Sequence, residues 1–78
     1  MKITVRQMMD RVWNLSTNVS EKPEDQLLVQ YKFFDWLFHK MTKGRKGAFA
    51  KLVDADWTQV EVEDMPDESI VEKLKSFL

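Results

Sequence analysis

Residues 23–42 carry more large apolar side chains than one face of a helix can hide, and that excess constrains the fold more than any other feature of the sequence. Pro23 brings a preset φ to a first helical position, Glu24 and Asp25 follow where the helix dipole favours negative charge, and Lys40, Lys43 and Gly44 mark the other end. The pattern predicts one helix from Pro23 to Thr42. Leu27, Tyr31, Phe34, Leu37, Phe38 and Met41 fall within one broad arc, with Leu28 at its border. Val29, Phe33 and Trp36 form a second arc at i, i+4 and i+7, with Lys40 one turn further on. A helix apolar on two arcs needs cover on both. For the second arc that cover comes either from within, through Phe49, Leu52 or Trp57, or from a partner.

The flanking segments predict what packs around it. Thr4 and Gln7 have the spacing of a capping box, so a helix over about Val5–Leu15 is expected. Its stripe of Val5, Met8, Met9, Val12 and Trp13 faces the core, opposite Arg6, Asp10 and Arg11. Residues 16–22 read as a loop. A short helix over Ala48–Val53 turns Phe49, Leu52 and Val53 inward. Pro66, Asp67 and Glu68 open a last helix that carries Ile70, Val71, Leu74, Phe77 and Leu78 to the core, so truncating Phe77 and Leu78 is expected to cost several kcal/mol. Residues 57–63 have two readings. Thr58, Val60 and Val62 alternate with polar residues at strand period, yet Asp56 and Gln59 also suit a short capped helix. The expected fold is mainly α, a compact bundle of about four helices forming a single domain over residues 1–78. The alternative is α+β, with a short two-stranded pairing of residues 2–5 and 58–62.

At 78 residues such a chain buries only about 60% of its unfolded surface, and its three Trp, five Phe and one Tyr provide large side chains for an efficient core. With no Cys, the chain has neither disulfides nor thiolate chemistry nor cysteine-based zinc sites, which favours a cytoplasmic location. The sequons at Asn14 and Asn18 then read as chance. Asp35 and His39 interrupt the longest apolar stretch, so no membrane span is expected. Asp54-Ala55-Asp56-Trp57-Thr58 resembles the start of an EF-hand loop, but Gln59 and Met65 stand where the turn glycine and the closing Glu belong. The same residues look like the phosphotransfer motif of the haloacid dehalogenase superfamily, which needs a large parallel-sheet domain. His39, the single histidine, has Asp35 at i−4, a spacing that suits surface pairing. No catalytic residue, metal site or cofactor is expected, and the chain reads as a non-enzyme.

Charge is divided along the chain. Residues 1–53 hold ten Lys/Arg and five Asp/Glu, and residues 54–78 hold two and eight. Three function classes follow. The first is a protein-interaction module, an adaptor, regulator or inhibitor of a larger macromolecule. It binds an unidentified protein, or a second copy of itself, through an aromatic patch of Val29, Phe33, Trp36 and Lys40, since aromatics beside a cation have interface composition. Small phage-encoded modulators of host machinery share its compact size and lack of chemistry by analogy. The alternative is a nucleic-acid-associated protein that binds phosphates through Lys40, Lys43, Arg45, Lys46 and Lys51. The third makes the acidic residues Asp54, Asp56, Glu61, Glu63, Asp64, Asp67 and Glu68 a surface that imitates DNA.

Overall fold

The computed structural model describes residues 1–43 and 48–78, with the backbone alone at residues 48, 49 and 52. The chain is mainly helical. In order it forms strand β1 (Lys2–Thr4), helices α1 (Val5–Ser16), α2 (Pro23–Thr42) and α3 (Ala48–Asp54), a 3-10 turn at Trp57–Gln59, strand β2 (Glu61–Glu63) and helix α4 (Asp67–Lys75). Three helices, α1, α2 and α4, supply the core, so the expected bundle of four reduces to three helices with a short two-stranded sheet. α3 is a single seven-residue segment on their flank.

The start of the chain meets the segment before α4 in that sheet. β1 and β2 run antiparallel, with Lys2 opposite Glu63, Ile3 opposite Val62 and Thr4 opposite Glu61. The Val5 amide donates to the Val60 carbonyl at 2.8 Å and the Asp64 amide to the Met1 carbonyl at 3.1 Å, extending the pairing at both ends. So short a ribbon is marginal alone and persists because helices pack on it. The ambiguous stretch divides between its two readings, with a 3-10 turn at 57–59 and a strand at 61–63. Asp56 does not cap the turn through its side chain; its backbone is left-handed, at φ 56°, and its Oδ1 accepts the Thr58 hydroxyl at 2.6 Å.

Thr4 ends β1 and starts α1. Its extended backbone leaves Oγ1 to accept the Gln7 amide at 3.1 Å, while the Thr4 amide donates to Gln7 Oε1 at 2.9 Å, the reciprocal capping expected from the spacing. α1 turns Val5, Met8, Val12 and Ser16 inward. Trp13 does not follow them: it is 62% exposed, because the buried stripe is narrower than the sequence suggests. Val5, Met8 and Val12 join Val29, Phe33 and Leu37 of α2, Val62 of β2, and Ile70 and Leu74 of α4 in one core cluster. Gln30 Nε2 donates to Ser16 Oγ at 2.7 Å inside it, and Ser16 Oγ donates to the Trp13 carbonyl at 2.8 Å. That buried polar contact sets the level of α1 against α2, since slipping it takes the buried Gln30 amide away from this partner. At the chain end Phe77 packs on the core, but Leu78 is 60% exposed, so the cost expected for truncation falls on Phe77 alone. Val53 also points outward rather than in, and the side chains of Phe49 and Leu52 lie outside the described residues.

Candidate functional site

α2 buries the arc that was expected to bind a partner. Val29 and Phe33 are fully inaccessible and Leu37 nearly so, because α1, β2 and α4 all contribute to the cluster that closes over this side of the helix. Of the aromatic patch of Val29, Phe33, Trp36 and Lys40, the first two are therefore core, and only Trp36 and Lys40 reach solvent. Trp36 is half-buried with its ring 5.4 Å from that of Phe33. Lys73 Nζ sits 4.5 Å and Lys40 Nζ 5.3 Å from the Trp36 ring centroid, so two ammonium groups lie against the indole where it meets solvent.

The broad arc divides: Leu37 joins the core, and the part around Tyr31 is left open. Tyr31 is 83% exposed, Leu27 57% and Leu28 44%, with Phe34 and Phe38 half-buried beside them. Met9 and Trp13 of α1 and Trp57 of the 3-10 turn complete an apolar groove of about 1010 Å³ between α1 and α2. Its aromatic wall is continuous. Phe34 packs on Phe38 at 6.4 Å between centroids, and Phe38 meets Trp57 edge-to-face at 5.4 Å. Four polar residues enter this lining or its edges: Gln30, held by Ser16; the phenol of Tyr31; and the carboxylates of Asp10 and Asp35. Asp35 has His39 beside it. Its backbone carbonyl lies 2.8 Å from His39 Nδ1 and its Oδ1 3.5 Å from the same atom, the i, i+4 contact expected from the spacing.

Comparison with known proteins finds no matching family model, no matching curated protein and no matching solved structure.

The other sequence-derived candidates lie away from the lining of this groove among the described residues. Lys40, Lys43 and Lys51 are exposed but belong to two helices and a cap, and Lys40 already faces Trp36; Arg45 and Lys46 lie outside the described residues. Of the acidic series, Asp64 and Asp67 are engaged within the fold. Arg11 donates to both carboxylates and to the Met65 carbonyl, tying α1 to the start of α4, and its Nη2 reaches Asp67 Oδ1 at 2.6 Å. The hydrogen bond to Asp67, more than the one to Asp64, raises the pKa of the Arg11 guanidinium above its ordinary value, and burial only partly opposes this. Sequence reading placed Arg11 on a solvated face, and partners more than fifty positions away left no local signal. Among the described residues, no group of three or more His, Asp or Glu side chains is arranged to hold a metal ion, and no helix is long and apolar enough to cross a membrane.

Proposed function

We propose that this chain is a small non-enzymatic protein-interaction module, an adaptor, regulator or inhibitor, that docks a helix of another protein in the groove between α1 and α2. The observation that carries this reading is the exposure of Trp13, Leu27 and Tyr31 around one apolar depression. Single exposed apolar residues are ordinary, but a contiguous apolar depression walled by aromatics on a chain this small is the usual mark of a binding face. A channel between two antiparallel helices also suits a third helix laid along it, reading apolar anchors at i, i+4 and i+7.

Magnitudes support a reversible contact. Covering these three side chains removes roughly 300 Å² of apolar surface, about 8 kcal/mol at ~25 cal/mol/Å². Association itself costs about 4–15 kcal/mol. The apolar contact alone therefore yields weak binding, and polar groups at the groove must contribute if the complex is to be tight.

The test uses a Trp13→Ser, Tyr31→Ser double variant, which alters exposed positions and leaves the core intact. Wild-type and variant protein, matched in helicity and unfolding midpoint, are used to capture partners from lysate with and without nuclease treatment. A protein retained by the wild type and released by the variant is the expected result. Equal retention by both overturns the groove as the docking face. Retention that needs nucleic acid, and is lost on Lys40→Glu with Lys43→Glu and Lys51→Glu, moves the basic cluster into first place; such binding weakens steeply with salt, by nearly one log unit per phosphate contact for each tenfold rise. The DNA-imitating reading is the less favoured, because Arg11 neutralises two of its carboxylates.

A further inference from the structure

The apolar groove has two carboxylates in its lining and, among the described residues, no lysine or arginine. Asp10, exposed on α1, makes no ion pair among the described residues, and Asp35, exposed on α2, pairs there with His39 alone. Their levels follow from the bond between Ser16 and Gln30. Asp10 precedes Ser16 by about 9 Å along α1 and Asp35 follows Gln30 by about 7.5 Å along α2, at ~1.5 Å per residue. The connection over residues 17–22 returns the chain, so both displacements run the same way and both carboxylates line one groove.

Resting on the reading of this groove as a docking face, we infer that its occupant is an amphipathic helix of a different protein that carries Arg or Lys beside its apolar stripe. The apolar side chains of that helix lie on Trp13, Tyr31 and Phe34, and the cation lies between Asp10 and Asp35. A guanidinium suits the position because its planar fork serves two acceptors at once. A second copy of this chain fits poorly. A two-fold contact centred on the groove turns Asp10 and Asp35 towards their own counterparts with no cation in the lining, and like charges brought together in an interface select against that pairing. An uncharged apolar ligand leaves both carboxylates unused, and an anionic membrane is repelled by them.

The probe is a displayed library of helical peptides of about four turns, with Leu or Phe fixed at i, i+3, i+4 and i+7 and the flanking positions randomised. It is selected on the wild-type protein and counter-selected on the folded Trp13→Ser, Tyr31→Ser variant. Enrichment of Arg or Lys at flanking positions is expected, with binding of the enriched peptides falling at least about tenfold on an Asp10→Asn, Asp35→Asn variant and in moderate salt. Peptides that depend on Trp13 and Tyr31 but carry neutral or acidic flanks overturn this inference and leave the groove reading standing. No peptide that discriminates wild type from the counter-selected variant overturns both. Sedimentation of the free protein supplies the remaining outcome: a dimer that the double variant abolishes assigns the groove to a second copy and overturns the basic-helix inference.

Discussion

Phe33 and Tyr31 stand two positions apart on one helix and have opposite fates, one sealed in the core and the other 83% exposed. Two residues along a helix is a rotation of about 200°, so adjacent aromatics of similar propensity divide between interior and surface. The energetic consequence is direct. Phe33→Ala removes a fully buried ring from a tightly packed cluster and is expected to destabilise the chain by about 3–5 kcal/mol, while Tyr31→Ser is expected to stay within about 0.5 kcal/mol. Urea unfolding followed by helicity checks both. Similar losses at the two positions would mean that α2 is rotated from the orientation described. The same comparison makes the groove open to study, since its exposed wall can be altered without disturbing the core.

At the scale of an element, α2 ends with unusual backbone. Lys43 caps it in the left-handed conformation, at φ 52° and ψ 32°, where a residue with a Cβ pays a steric cost and glycine does not. Lys43→Gly is expected to stabilise the protein by about 0.5–1 kcal/mol, part of the relief being offset by the greater freedom of glycine in the unfolded chain. In a thermal melt that corresponds to a rise of a few degrees, at roughly 4–8 °C per kcal/mol for a domain of this size. A fall in midpoint would show that the lysine side chain supports the helix end enough to outweigh its strain. α1 is the contrasting case: its start is satisfied by Thr4 and Gln7, residues of the same short segment.

Across the whole molecule, contacts between distant parts of the chain hold the ends of the elements together. The sheet joins residues 2–4 to 61–63, and Arg11 joins α1 to the turn before α4. Arg11→Ala is expected to cost about 1 kcal/mol, the upper range for a partly exposed ion-pair cluster, and to cost less in strong salt. The pH dependence follows from the raised guanidinium. Stability linked to a raised group is fully present below its unfolded-state value and is lost only as pH rises past the folded-state one, so the gap between wild type and variant is expected to be constant from about pH 6 to about pH 10. Denaturant midpoints across that range provide the measurement. A gap that closed within it would assign the loss to packing of another titrating group rather than to this guanidinium.

Local chemistry was legible in the sequence by itself: the capping box at Thr4 and Gln7, the span of α2 from Pro23 to Thr42, the acidic start of α4, and the Asp35–His39 contact all depend on residues within a turn of one another. Which arc of α2 faces inward was decided only in the tertiary structure. Both arcs are apolar, so periodicity offers no preference between them, and the choice falls to what packs against the helix: Val5, Met8 and Val12 from one side, Ile70 and Leu74 from the other, with the Ser16–Gln30 bond setting the level. Once Val29, Phe33 and Leu37 turn towards those partners, Leu27 and Tyr31 are carried round to the outside, and the candidate site is the apolar surface left open at the margin of the core.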